Sequence, residues 1–252
     1  MKLTILGTSA AYPGPNDPCS GYLLSDAGIN VLLDCGTGTL ANLQRHVRMD
    51  EVSDIIISHM HPDHFLDLIP YRYALRYGNG GGKLHAPRLH LPPGGIEALA
   101  QLTAPFSETK HFFEETFDTS EYDPSRGVAL HDLEVTFCLT KHYIPTYAMS
   151  LSGSRKLTYS SDSGSCPELV GLAKDSDFLL CTVGRCLGEE IASLWGHMLP
   201  REAGELARRA GAKQLMLTHL WPACDRDSSA HEASEALGRP VRVAEVNSSY
   251  VF

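Results

Sequence analysis

The sequence has no long apolar segment. None of its hydrophobic runs approaches the roughly 18 residues that a membrane-spanning helix requires. Residues 1–7 contain only a short apolar run that a glycine interrupts, so they predict a β-strand rather than the apolar core of a signal peptide. We therefore expect no membrane partner.

Paired cysteines and an excess of basic residues are also missing. The seven cysteines are an odd number without a Cys-x-x-Cys pair, which favours reduced thiols and a cytoplasmic protein over a disulfide framework. Only 21 Lys and Arg face 30 Asp and Glu, and this net charge of -9 opposes casual binding of nucleic acid. Bound divalent ions and a local basic patch could reverse that charge at an active site.

Histidine is abundant instead, with 12 residues in the chain. Three histidines and one aspartate crowd into residues 58–64, directly after the apolar run Ile55-Ile56-Ile57. A buried strand that ends in a loop of three imidazoles and a carboxylate is costly unless a cation lies there. This loop therefore predicts a metal site.

The spacing within the loop favours two ions over one. His59 and His61 are two residues apart, so along an extended segment they point the same way and can chelate one ion together. Asp63 and His64 begin a predicted helix over residues 64–69, whose first turn can aim both side chains at a second ion.

Short strand-like runs separated by turn residues occur in both halves of the chain, with helical patterns between them. The predicted strands are residues 2–6, 21–24, 30–34, 55–57, 88–91, 133–138, 147–151, 156–160, 177–181 and 214–218, and the predicted helices are residues 39–48, 64–69, 95–102 and 200–210. No linker divides the chain, so residues 1–252 are predicted to form a single domain. Strands in both halves with helices outside them predict an α/β fold, a four-layer αββα sandwich.

The histidine loop resembles the signature of a known family. The pattern His59-x-His61-x-Asp63-His64 is similar to that of the metallo-β-lactamase superfamily of metal-dependent hydrolases. In that superfamily a later histidine, a bridging aspartate and a final histidine complete the set. Three residues match this order, each just beyond a hydrophobic strand: His142, Asp162 and His219. The resemblance implies a first ion held by His59, His61 and His142, a second held by Asp63, His64 and His219, and a bridging Asp162.

The resemblance also implies roles for the metals and for Asp34. Imidazole and carboxylate ligands suit two Zn²⁺ ions, with Mn²⁺ and Fe²⁺ as alternatives. Two such ions lower the pKa of a shared water and neutralise charge on a substrate oxygen. Asp34 matches a family aspartate that accepts a hydrogen bond behind the metal histidines. By itself, Asp34 could equally end a strand or cap the helix that follows.

Two shorter motifs resemble the RNase Z branch of the superfamily, whose enzymes trim tRNA 3′ ends and whose relatives cleave other phosphodiesters. These are Gly7-Thr8-Ser9 and Gly196-His197-Met198, the latter followed by the predicted helix 200–210. The resemblance makes His197 the candidate acid that protonates the leaving group, and Asp63 a candidate for orienting the nucleophile.

Three features depart from that branch. Only 19 residues separate His142 from Asp162, too few for the long arm with which the branch grips tRNA. Thr182 replaces the glutamate that would partner the histidine, and the chain is acidic.

Our leading hypothesis is therefore a dinuclear metal-dependent phosphodiesterase acting on a small or cyclic phosphodiester. A tRNA 3′-processing endonuclease with an RNA substrate is the alternative. A lactone, thioester or β-lactam hydrolase is a further alternative, and a non-catalytic or redox metal protein belongs to a different class. A homodimer is also expected from the fold's relatives.

Overall fold

The computed structural model describes residues 1–78, 85–184 and 196–252. Its strands are β1 (Lys2–Gly7), β2 (Gly21–Asp26), β3 (Ile29–Leu33), β4 (Asp54–Ile56), β5 (Arg88–Leu91), β6 (Asp118–Glu121), β7 (Val128–Leu130), β8 (Leu133–Leu139), β9 (Tyr147–Ser152), β10 (Lys156–Tyr159), β11 (Phe178–Thr182), β12 (Leu215–Thr218), β13 (Arg242–Val243) and β14 (Ser249–Val251). Its α-helices are α1 (Thr39–Leu43), α2 (Pro62–Phe65), α3 (Leu68–Tyr77), α4 (Gly95–Thr103), α5 (Pro167–Leu172), α6 (Pro200–Ala210) and α7 (Arg226–Leu237). A short 3-10 helix covers Met49–Glu51.

The strands form two mixed sheets of seven strands each. The first sheet has the order β14-β1-β2-β3-β4-β5-β6, and the second has the order β13-β12-β11-β10-β9-β8-β7. Within each sheet a parallel group, β3 to β6 or β10 to β13, adjoins antiparallel strands. Parallel neighbours end at the same sheet edge, so residues that follow them are brought together.

Side chains alternate between the two faces of each strand. In β2, Tyr22 and Leu24 face a cluster shared with the second sheet, whereas Leu23 faces a cluster shared with α1, α3 and α4. The central cluster takes residues such as Leu151 and Tyr159 from the second sheet. A third cluster packs that sheet against α5, α6 and α7. Three cores between four layers confirm the predicted αββα sandwich.

The structure shortens or splits two of the predicted helices. The helix predicted over residues 39–48 ends at Leu43, because the amides of Arg45 and His46 bond three residues back, to the carbonyls of Asn42 and Leu43. The helix predicted over residues 64–69 is wrong as a single element. The amide of Asp67 donates to the carbonyl of Cys35 at 3.0 Å, which ends α2 and lets a separate α3 begin at Leu68.

Among the other predicted helices and expectations, some are confirmed and some are wrong. The helix predicted over residues 200–210 is found with those bounds, whereas α5 and α7 were not predicted.

Cys224 is disulfide-bonded, so the expectation of reduced thiols is wrong at that residue. Among the described helices, none has the length and apolar character needed to cross a bilayer. The single domain over residues 1–252 stays a prediction.

Candidate metal centre

Loops at one edge of the sandwich carry the predicted site residues. Asp34 follows β3, the histidine loop follows β4, and Asp162 and His219 follow β10 and β12, which belong to parallel groups. His142 lies in the loop after β8. The structure brings all seven predicted ligands together as two groups of potential metal ligands, which we call the first cluster (His59, His61, His142 and Asp162) and the second cluster (Asp63, His64 and His219).

In the first cluster, three ring nitrogens converge. Nδ1 of His61 lies 2.9 Å from Nε2 of His59 and 3.2 Å from Nε2 of His142. Oδ2 of Asp162 lies 3.8 Å from Nε2 of His59 and 4.0 Å from Nε2 of His142. Tetrahedral ligands at zinc–nitrogen bond lengths would lie roughly 3.3 Å apart, so these spacings fit a shared cation.

The second cluster adjoins the first through Asp162. Nε2 of His219 lies 3.2 Å from Oδ2 of Asp63 and 3.3 Å from Nε2 of His64. Oδ2 of Asp162, already close to the first cluster, is 3.5 Å from Nε2 of His64. This carboxylate therefore lies between the two clusters, as a bridging ligand would.

Asp34 fixes the tautomers of His59 and His64 from the side of these rings that faces away from the clusters. Its Oδ2 accepts from Nδ1 of His64 at 2.7 Å and from the hydroxyl of Ser58 at 2.9 Å. Because the Ser58 hydrogen is used in this way, its oxygen accepts from Nδ1 of His59 at 3.0 Å. Both histidines therefore turn Nε2, rather than Nδ1, toward the clusters. The expectation that Asp34 bonds a histidine of the loop is confirmed, and Gly38 rather than Asp34 occupies the N-cap position of α1.

Asp34 also connects the two sheets. The hydroxyl of Tyr159, at the end of β10, donates to Oδ2 of Asp34 at 2.8 Å, and the amide of Ser58 donates to Oδ1 at 2.8 Å. Asp34 has a φ of 56°, in the left-handed region, as do Ser161 at 48° and His219 at 57°. Such backbone costs energy outside glycine, and its occurrence at three positions of one site is typical of functional centres.

His142 is oriented by a glycine close to it. Nδ1 of His142 donates to the carbonyl of Gly196 at 3.1 Å, which leaves its Nε2 lone pair for the first cluster. Gly196 has a φ of 66°, and a Cβ there would lie 2.7 Å from Cα of His142. Only glycine allows this approach without a backbone shift.

The first cluster cannot be satisfied by protons alone. His59 and His142 each present an unprotonated Nε2 to His61 Nδ1, which carries at most one proton. One proton serves one acceptor, whereas a cation at the centre serves all three nitrogens. The donor set therefore fits a metal ion.

Charges in the site also favour cations. Burial lowers the pKa of the ring of His59, and the charge on His64 lowers it further. Burial opposes ionisation of Asp162, but the nearby His219 and His64 hold the pKa of its carboxyl well below the usual range. Burial likewise opposes ionisation of Asp63, whose pKa is lowered by His64 and His219. Buried ionised carboxylates require compensating positive charge.

His197 lies beside both clusters. A ring nitrogen of His197 lies within 4.8 Å of ligand atoms of Asp162 and His219. Burial lowers the pKa of His197 to about 4, and its Nδ1 has no hydrogen-bond partner in the described part of the chain. Thr182, at the position of the missing glutamate, donates its hydroxyl hydrogen to the carbonyl of Ser161 at 2.6 Å. Thr182 thus supports the residue before Asp162.

Several contacts of the site were not predicted. The amide of Ala11 donates to Oδ2 of Asp63 at 2.8 Å, and no local pattern signals a backbone donor from so distant a loop. A cavity of about 260 Å³ opens over the clusters and is lined in part by Tyr143 and Trp221. The adjacency of Tyr143 to His142, and of Trp221 to His219, was a usable signal in the sequence.

Similarity to known proteins agrees with this geometry. The family model for the β-lactamase superfamily domain matches residues 29–220. The chain is 30% identical over 246 residues to the probable metallo-hydrolase YhfI of Bacillus subtilis, covering 97% of each chain. The crystal structure of YhfI, a metallo-β-lactamase fold protein, superposes with a TM-score of 0.86 and 26% identity over 99% of this chain and 98% of that one.

Two further similarities concern a ribonuclease and a diphosphatase. The chain is 28% identical over 295 residues to ribonuclease Z of Myxococcus xanthus, covering 97% of this chain and 95% of the relative. A diphosphatase of the PhnP family has a TM-score of 0.76 over 100% of this chain and 97% of that one. Its 17% identity shows a shared fold alone.

Asp34→Asn tests the hydrogen bonds that the carboxylate of Asp34 accepts. The new amide NH₂ group would face the donors of Ser58, Tyr159 and His64, so we expect the free energy of unfolding to fall by about 1–3 kcal/mol. The measurement is urea denaturation in the presence of a chelator, which separates the effect from metal binding. Tyr159→Phe removes one donor only and is expected to cost about 1 kcal/mol. Equal stability of Asp34→Asn and wild type would contradict this account.

Proposed function

Because the chain belongs to the β-lactamase superfamily and is a metal-dependent hydrolase, we propose that it is a dinuclear phosphodiesterase acting on a small or cyclic phosphodiester. The observation that best supports this proposal is the position of His197. It puts a ring on the wall of the cavity, beside Asp162 and His219, where a phosphate oxygen or a leaving group would lie. A lactone or β-lactam hydrolase would not need this histidine.

His59, His61 and His142 would hold the first ion, Asp63, His64 and His219 the second, with Asp162 shared between them. Imidazole and carboxylate donors suit Zn²⁺, and Mn²⁺ and Fe²⁺ accept the same ligands. When bound, the two ions supply Lewis acidity, which acidifies water and neutralises charge on substrate oxygens.

The residues around the clusters perform the remaining steps. Asp63, fixed by the amide of Ala11, orients the nucleophilic water through its carboxylate. The negative charge of the bound phosphate raises the pKa of the His197 ring from its low value in the free site, so the ring takes up a proton from solvent and donates a hydrogen bond to the phosphate. The protonated ring then transfers its proton to the departing ester oxygen.

The cavity favours a small substrate. Its volume of about 260 Å³ lies just below the usual range for small-molecule pockets, and the described residues that line it include no Lys or Arg. The similarity to ribonuclease Z of Myxococcus xanthus supports tRNA 3′ processing as the second candidate. The cytoplasmic location and the homodimer stay predictions.

Metal analysis and a substrate panel test the proposal. Protein purified without chelator is expected to contain about two transition ions per chain, in line with two-metal hydrolases. The panel compares bis-p-nitrophenyl phosphate and cyclic phosphodiesters with a lactone, nitrocefin and a precursor tRNA. Preference for the small phosphodiesters is the expected result. Preference for the tRNA or a carbonyl substrate, or a chain without metal, would overturn the proposal.

Proton release gives an independent test of the second cluster. Burial alone would lower the pKa of the ring of His64, but the carboxylates of Asp162, Asp63 and Asp34 raise it well above its ordinary value. A metal at its Nε2 must therefore displace a proton at neutral pH. We expect zinc binding to release about one proton more in wild type than in His64→Asn. Calorimetry in buffers of different ionisation enthalpy measures this, and equal release would reject the assignment.

Replacement of His197 by alanine tests the acid. We expect His197→Ala to lower kcat by about 100-fold or more on phosphodiesters with alkoxide leaving groups, since general acid catalysis contributes about 10²–10⁴. A p-nitrophenolate leaving group needs no proton, so the loss there should be much smaller. His231→Ala is the matched control, since His231 is a surface histidine of α7 with 73% of its side chain exposed. Equal losses on both substrates would exclude an acid role.

A further inference from the structure

Tyr143 is an exposed aromatic residue at the mouth of the cavity. One side of its ring packs on two histidines of the first cluster, with centroid distances of 4.7 Å to His61 and 4.4 Å to His142. The residue nevertheless remains 65% exposed, and it lines the cavity. An exposed large ring on the rim of a binding site, held in place by its inner face, offers its outer face to a ligand.

A second aromatic residue lines the cavity from the side of the second cluster. Trp221 follows His219 by two residues, and its ring packs edge-on against Tyr12 at 5.9 Å. The backbone there is fixed, because the amide of Leu220 donates to Thr8 at 3.0 Å and the amide of Ala10 donates to Leu220 at 3.1 Å. Tyr143 and Trp221 therefore present two packed aromatic rings on the walls of one small cavity.

The charges of the wall indicate how a substrate would be recognised. The described lining residues contribute histidines, aspartates, small apolar side chains and these two aromatic rings, without Lys or Arg. Such a wall offers no ion pair to phosphates beyond the reacting one, which a polynucleotide would need for affinity. It offers stacking instead, which binds any nucleobase through its π-face.

We propose that the cavity binds single-nucleoside phosphodiesters, with the base stacked on Tyr143 and bounded by Trp221. This inference rests on the proposed phosphodiesterase function and names its substrate class. The reacting phosphate lies over the two clusters, and the base lies toward the rim. Tyr143 and Trp221 determine specificity and take no part in bond cleavage.

Two matched pairs of compounds test this assignment. Adenosine 2′,3′-cyclic phosphate and glycerol 1,2-cyclic phosphate share a five-membered cyclic phosphodiester and differ in the base. We expect kcat/KM of the metal-replete enzyme to be at least about tenfold higher for the adenosine compound, as stacking on one aromatic ring allows. Tyr143→Leu and Trp221→Leu should each lower this ratio by about tenfold. Tyr77→Leu, which alters a tyrosine of 59% exposure on α3, should keep the wild-type ratio.

Binding separates this inference from the proposed function. Adenosine monophosphate and ribose 5-phosphate share a phosphate, and calorimetry compares their affinities without requiring turnover. If no phosphodiester is hydrolysed but the base preference in binding is lost in Tyr143→Leu, the function fails and the aromatic site stands. If both cyclic phosphates are hydrolysed with equal efficiency and neither variant changes the ratio, the aromatic site fails and the function stands. A loss confined to an oligonucleotide substrate would assign the rings to a nucleic acid chain and overturn the inference.

Discussion

The carboxylate of Asp34 is the constraint on which the rest of the site depends. It accepts hydrogen bonds from His64 directly and from His59 through Ser58, so it decides which ring nitrogens face the clusters. It also accepts the hydroxyl hydrogen of Tyr159, which belongs to the other sheet. One buried acid thus sets the tautomers of two potential metal ligands and ties together the two layers that supply the remaining ligands.

The buried carboxylates of the two clusters are unfavourable without nearby positive charge, and this explains the shifted pKa values of the site. Asp63 and Asp162 have lowered pKa values, whereas the pKa of His64 is raised. A proton on His64 compensates part of the buried negative charge, at the position that a divalent ion would take. Positive φ angles at Ser161 and His219 add backbone strain at the same place. The sandwich must therefore stabilise a site that would not form on its own, and metal binding would return part of that free energy.

The ligands come from both sheets, and this couples the site to the fold. The histidine loop follows β4 of the first sheet, whereas Asp162 and His219 follow β10 and β12 of the second. Their spacing depends on the central core, where Tyr22 contacts Tyr159 with ring centroids 5.1 Å apart. At Gly36 the loop after β3 lies very close to the histidine loop, since a Cβ there would overlap the carbonyl of Asp63. Small shifts between the layers would therefore change the geometry of both clusters.

The sequence by itself determined what is local: the positions of ten of the 14 described strands, the helix over residues 200–210, and the histidine loop, whose spacing places His59 beside His61. These follow from periodicity and from offsets of a few residues, which act over one or two turns of backbone. Only the tertiary structure decided that the amide of Ala11 bonds Asp63 and that Tyr143 and Trp221 line one cavity. Such contacts join residues far apart in the chain through the stacking of two sheets, and no local pattern encodes that distance.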